Sequence, residues 1–159
     1  MLTNHQEEES MTEGLPGRAQ VVIVGGGAVG CSVAYHLTKI GITDVLLLER
    51  RQLTCGTTWH AAGLVGQLRA PANMTKLAQY TAELFLGLEA ETGQATGMKQ
   101  NGSIAVATDL ERLEELQRGA SMARVFGLEV EEVTAEWIAR KYPVMHTDDL
   151  VGGVYLPRD

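Results

Sequence analysis

Three glycines at one strand-to-helix turn constrain this chain more than any other feature. The stretch "VVIVGGGAVG" sets Gly25, Gly27 and Gly30 in a G-x-G-x-x-G pattern directly after an apolar, β-branched run. That run, residues 19–27, reads as a buried parallel strand stopped by glycines. Residues 28–41 then carry Val29, Val33, Leu37 and Ile40 on one helical stripe and end at Gly41, a residue type suited to the end of a helix. Residues 44–50, "DVLLLER", supply a second strand, so that about thirty residues make one β-α-β unit.

Each part of this unit has a physical task. Gly25 permits the tight turn, Gly27 lets the backbone approach a pyrophosphate, and Gly30 allows the helix to pack closely on the strand. The N–H groups around Ala28 and Val29, at the helix N-terminus, offer donors and the positive end of the helix dipole to that pyrophosphate. Glu49 closes the second strand, with Arg50 beside it, and suits the ribose hydroxyls of an adenosine while its charge disfavours a 2′-phosphate. Strand, helix and acid together point to dinucleotide binding, and this unit by itself leaves NAD and FAD both open.

The rest of the composition bounds the partners. With 45% hydrophobic and 21% charged residues among 159, the chain is an ordinary globular one. A formal net charge of -7 argues against nucleic acid or an anionic membrane surface as the main partner. Cys31 and Cys55 form no CxxC and no zinc-like spacing, so neither a disulfide nor a metal site is expected, and a reducing compartment fits them. Residues 1–18 lack an apolar core and are rich in Glu; they read as a mobile, solvated tail rather than a leader peptide, and a cytoplasmic location is expected. No run approaches the roughly 18 apolar residues of a membrane span.

Beyond the second strand, residues 51–72 form a connection rich in Gly, Thr and Ala, and structureless connections of such length are rare unless functional. Helical spacing returns over residues 74–92, before Gly93. A strand at 102–107, a charged amphipathic helix at 109–126, a strand at 129–133, a short helix at 135–142 ended by Pro143 and a last strand through "VGGVYLP" complete the reading. The expected fold class is α/β: a Rossmann-like β-α-β unit followed by the start of an α+β substrate-domain segment.

Inside the long connection stands "GTTWHAAGL", that is Gly56, Thr57, Thr58, Trp59, His60, Ala61, Ala62, Gly63 and Leu64. A neutral imidazole is a competent nucleophile, glycines on both sides allow close backbone approach, and the two hydroxyls can donate to phosphate or ribitol oxygens. With this segment the chain, from about residue 19 onward, resembles the sarcosine and dimethylglycine dehydrogenase family of D-amino-acid-oxidase-like flavoproteins. The resemblance selects FAD over NAD. It implies that His60 carries FAD covalently through the flavin's 8α-methyl group, with the other residues of the segment lining the cofactor and Trp59 packed near its rings. Thr57 stands where many relatives have Ser and keeps the hydroxyl. Cys55 is the weaker rival for the attachment, because cysteinyl flavin links occur in related oxidases. His5, His36 and His146 lack such a context and read as surface or structural histidines, and the charges of residues 109–124 read as a solvated helix face.

The same resemblance implies a small N-methylated amino-acid substrate such as sarcosine or dimethylglycine, hydride transfer to the flavin, and an electron-acceptor protein or oxygen as oxidant. It also implies a C-terminal region able to use tetrahydrofolate. Residues 19–92 are then the N-terminal part of an FAD-binding domain and residues 93–159 a partial substrate domain, with no catalytic residue expected in either. The family's FAD-binding fold is discontinuous, so the chain is read as the N-terminal portion of a longer protein. As an isolated polypeptide it is expected to aggregate or fold loosely and to hold FAD poorly, because two strands leave an uncovered sheet edge. Two alternatives stay open: a non-catalytic regulatory protein on the same fold, and a noncovalent FAD amino-acid oxidase.

Overall fold

A computed structural model describes residues 14–159; His5 and most of the expected N-terminal tail lie outside the described residues. The chain divides into two compact units, one up to Gly63 and one from Leu64 onward.

In the first unit, β1 (Val21–Val24) and β2 (Val45–Leu48) are joined through helix α1 (Ala28–Lys39). The strands are parallel and in register, Val21 opposite Val45 and Val24 opposite Leu48. Parallel pairing requires a crossover, which α1 provides. Three of the four residues of the apolar stripe are exposed: Val29 at 78%, Val33 at 43% and Ile40 at 74%. The half-buried residues of the helix include Gly30 and Ala34 and, from the stripe, Leu37 alone. A period of 3.6 residues marks a stripe without saying what covers it, and close approach to a strand selects small residues over branched ones. On β1, Val22 and Val24 are exposed as well, at 51% and 84%.

The second unit begins with helix α2 (Ala72–Thr92), which stops at Gly93. It continues through β3 (Ser103–Ala107), α3 (Leu110–Val125), β4 (Glu131–Val133), α4 (Ala135–Lys141) and β5 (Gly152–Leu156). β5 is central and runs antiparallel to both neighbours. All five of its residues are buried, because each face of the sheet is covered by a helix. Val154 and Leu156 pack with Ala120 and Leu116 of α3, whereas Tyr155 on the opposite face meets Ile138 and Trp137 of α4. Asp109 and Thr134 start the two helices by accepting the N–H of Arg112 and of Trp137.

The compact units separate at Gly63, whereas the sequence reading set its domain boundary at residues 92 and 93. α2 goes with the later unit because Gln79 donates to the Phe126 carbonyl (3.3 Å) and Thr75 is fully buried there. Every expected helix and strand is present within a few residues. The 3-10 turn at Thr57–His60 was not foreseen. Among the described residues, no helix is long and apolar enough to cross a membrane.

Candidate cofactor site

The site is built at the point where β1 turns into α1. Gly25 leaves the strand at φ +103, a conformation that side chains rarely adopt, and a Cβ there would meet open space. Gly30 answers to the opposite constraint. A Cβ on it would overlap the carbonyl oxygen of Gly25 and lie 3.4 Å from Cγ2 of Ile23, so α1 approaches β1 only because the side chain is missing.

The first bond of the helix runs from Cys31 N–H to Gly27 O at 3.0 Å. The N–H groups of Ala28, Val29 and Gly30 therefore have no acceptor inside the helix and point from its N-terminus. Ala28 N–H donates to Oγ1 of Thr58 at 2.9 Å. Thr58 thus caps a helix that begins thirty residues before it in the chain, roughly the task of an N-cap side chain. The sequence reading gave Thr58 to phosphate or ribitol oxygens; the hydroxyl as it stands occupies one of the donors at the head of α1.

Three more contacts fasten the long connection to the glycine turn. Glu49 accepts Gly26 N–H on Oε2 at 2.8 Å and Arg51 N–H on Oε1 at 3.0 Å. Thr54 N–H donates to Gly26 O at 2.8 Å, with Thr54 itself at φ 64. The side chain of Leu53 lies directly over Gly26, where a Cβ would collide with it. Each carboxylate oxygen of Glu49 keeps a second lone pair, which leaves it able to accept from a ribose hydroxyl.

The hydrogen bond from Gly26, then that from Arg51, holds the Glu49 carboxyl below its ordinary value of 4.5, with the Arg50 charge a smaller contribution. A carboxyl lowered by folding contributes stability that is complete above its unfolded value and is lost as pH falls through the folded one. The clamp on Gly26 is therefore intact at pH 7 and releases only below pH 4.5. Glu49→Gln is expected to remove that acid-dependent part of the first unit's melting, checked by thermal melts between neutral and acidic pH.

The 3-10 turn Thr57–His60 presents the histidine. Trp59 N–H reaches Gly56 O at 3.2 Å, and His60 Nδ1 meets the same carbonyl at 3.0 Å. A carbonyl oxygen only accepts, so in this contact Nδ1 carries the hydrogen and the lone pair of the neutral ring sits on Nε2. The His60 ring is exposed, and Trp59 is 79% exposed. Of the residues expected at the cofactor, Gly25, Gly27, Ala28, Val29, Gly30, Glu49, Arg50 and those from Gly56 to Gly63 lie in the first unit. Leu64 opens the second and is 89% exposed.

This donor set suits a dinucleotide pyrophosphate. Two N–H groups with no acceptor inside the helix, the dipole of a twelve-residue helix and open space before Gly25 are what an anion needs, and among the described residues no side-chain carboxylate contacts the N–H groups of Ala28, Val29 or Gly30. Thr58→Val is expected to cost about 1 kcal/mol by leaving Ala28 N–H without its cap. Thr58→Ser should restore the wild-type melt.

Comparison with known proteins decides which dinucleotide this is. The family model described as DAO, FAD dependent oxidoreductase, matches residues 20–159. The chain belongs to this family. It is 42% identical over 146 residues to the mitochondrial sarcosine dehydrogenase of Mus musculus, covering 91% of this chain and 16% of the relative. It is also 42% identical over 142 residues to the mitochondrial dimethylglycine dehydrogenase of Rattus norvegicus, covering 89% and 17%. A relative of a different kind, the mitochondrial pyruvate dehydrogenase phosphatase regulatory subunit of Mus musculus, is 41% identical over 151 residues, covering 95% and 17%. The chain thus spans about a sixth of the length of these relatives.

In fold it matches L-proline dehydrogenase from P. horikoshii with a TM-score of 0.83 at 24% identity, over 91% of this chain and 38% of that one. FAD is the cofactor of the family, which settles the choice that the β-α-β unit leaves open. The names of the three relatives place those proteins in mitochondria, against the cytoplasmic expectation for this chain.

A cavity of about 150 Å³ belongs to the second unit and is lined by Gln67, Gln79, Gln100 and Arg158 among others. It contains none of the residues of the glycine turn.

Proposed function

We propose that this chain is the FAD-gripping portion of a flavin-dependent dehydrogenase of N-methylated glycines, sarcosine or dimethylglycine, with His60 as the covalent tether of the cofactor. One observation carries the reading: the Thr57–His60 turn is capped onto the head of α1 through Thr58 and Ala28 (2.9 Å), two residues from the histidine. The identity of over 40% to two amine dehydrogenases supports it.

When bound, FAD supplies the two-electron sink that takes a hydride from the carbon beside the amine nitrogen. The residues of this chain bind and orient. The N–H groups of Val29 and Gly30 hold the pyrophosphate and Glu49 the ribose. The Gly56 carbonyl keeps the hydrogen of His60 on Nδ1, which leaves Nε2 as the nitrogen free to bond carbon. The N-methylated substrate, the acceptor of the electrons and any use of tetrahydrofolate belong to the same reading.

Acid precipitation and dye reduction test it together. Flavin fluorescence is expected to stay with the precipitated protein, and an artificial dye to be reduced on adding sarcosine or dimethylglycine. Flavin that washes out removes the covalent tether and favours a noncovalent oxidase. Retained flavin that no amine reduces favours the second reading, a regulatory protein, for which the 41% identity to a phosphatase regulatory subunit speaks.

A further inference from the structure

We propose that Leu53 and Thr54 are positioning residues for the flavin tether: an elbow, seated on Gly26, that fixes the short segment to which the His60 ring is hydrogen-bonded. The proposal rests on reading His60 as that tether, and every residue it uses lies in the first unit.

Thr54 stands at φ 64, the only non-glycine residue with positive φ among the described residues. A β-branched side chain is strained in that region and stays there only where its surroundings enforce it. Here they do. Thr54 N–H donates to Gly26 O at 2.8 Å, and the side chain of Leu53 lies against Gly26 where a Cβ would stand. Leu53 is otherwise largely in solvent, at 57% exposed, so this contact is not core packing. The seat itself is fixed. Gly26 N–H is held by Glu49 at 2.8 Å, and its carbonyl accepts from the Cys31 thiol at 3.4 Å as well as from Thr54.

The elbow is one of two anchors. Thr58 is the other, accepting Ala28 N–H at 2.9 Å. The segment from Thr54 to Thr58 is thus tied at both ends to one turn, at Gly26 and at Ala28. Gly56 lies midway between the anchors, and its carbonyl accepts the Nδ1 hydrogen of His60 at 3.0 Å. Glycine has wide backbone freedom, so the direction of that carbonyl is set by the anchors on either side. Through it they set the direction of Nε2, as a preorganised site requires. Bonding Nε2 to the 8α-carbon removes one hydrogen from the methyl and one from the ring; both pass with two electrons to the flavin and on to dioxygen, which leaves as hydrogen peroxide. The elbow supplies none of these atoms, only their geometry.

The experiment uses the full-length parent protein prepared without flavin and mixed with saturating FAD in air. Acid-stable flavin is followed over time, FAD affinity is measured in a His60→Ala background, and amide hydrogen exchange is read at Thr54. Leu53→Ala is expected to slow attachment about tenfold, as a small misplacement of reacting atoms does, with the FAD dissociation constant within about twofold of wild type. It should also speed exchange at the Thr54 amide about tenfold. Leu53→Met, of similar volume, should behave as wild type. Thr54→Gly adopts the same φ without strain and keeps its N–H, so it too should attach flavin at the wild-type rate. Thr54→Pro can do neither and should slow attachment at least as much as Leu53→Ala. Attachment at the wild-type rate in both Leu53→Ala and Thr54→Pro overturns the positioning role. So does a loss of FAD affinity in Leu53→Ala that matches its loss of rate, which makes the elbow part of the nucleotide grip. A wild type that never gains acid-stable flavin overturns the tether and with it that role, while exchange at Thr54 still decides whether the elbow is seated.

Discussion

Gly30→Ala is expected to empty the protein of FAD and to melt its first unit. The added methyl meets backbone, not a side chain that can rotate away: it overlaps the Gly25 carbonyl oxygen and lies 3.1 Å from the carbonyl carbon. Relief requires α1 to lift off β1, which separates the N–H groups of the helix from the turn that aims them. Overpacking costs typically 1–3 kcal/mol, and a backbone collision at a helix crossing belongs at or above about 3 kcal/mol.

The first unit is poorly placed to absorb this, with Val22 and Val24 of its two-stranded sheet and Val29 and Ile40 at the two ends of α1 already exposed. Gly27→Ala is the comparison, because its Cβ meets the Thr58 hydroxyl at 3.1 Å, an atom that can move by a few tenths of an ångström. Bound flavin per polypeptide and a thermal melt measure both. Equal behaviour of the two variants rules out close helix packing as the reason for glycine at position 30.

His60→Ala is expected to abolish acid-stable flavin while leaving FAD bound in the native protein. The two effects separate because the grip and the tether are different atoms. On the reading proposed above, Val29, Gly30 and Glu49 hold the nucleotide whether or not an imidazole stands at position 60, and the hydrogen bond of Nδ1 to Gly56 O involves no residue of the glycine turn. The visible flavin spectrum therefore persists before acid and disappears from the precipitate after it. Cys55→Ser serves as the companion, since the thiol is the rival attachment atom and is exposed. Flavin that survives acid in His60→Ala and is lost in Cys55→Ser transfers the tether to the cysteine.

Much of this was legible in the residues. The G-x-G-x-x-G pattern, the strand before it and the acid at position 49 gave the β-α-β unit, because these features act over a few residues and leave a local signature. The stripe on α1 was legible as a helix and misleading as a face. Val29, Val33 and Ile40 have the right spacing, yet small residues at positions 30 and 34 take the half-buried side. The Thr57–His60 turn escaped notice because a 3-10 turn of four residues has too few positions for a period. The elbow at Leu53 and Thr54 escaped for another reason. The bond from Thr54 N–H to Gly26 O joins the connection after β2 to the turn after β1, and neither residue's identity announces the other.

By itself, then, the sequence determined what short-range physics can determine: which segments are helix or strand, that a G-x-G-x-x-G turn joins the first strand to the first helix, and that a histidine stands between two glycines in the connection after the second strand. The tertiary structure alone decided that Thr58 caps α1 from across the unit, that Glu49 clamps Gly26, which nitrogen of His60 bears the lone pair, and that the connection after β2 is seated on Gly26. Periodicity and turn chemistry are written in neighbouring residues, whereas hydrogen bonds between distant segments depend on how the whole chain closes, and no local pattern encodes that.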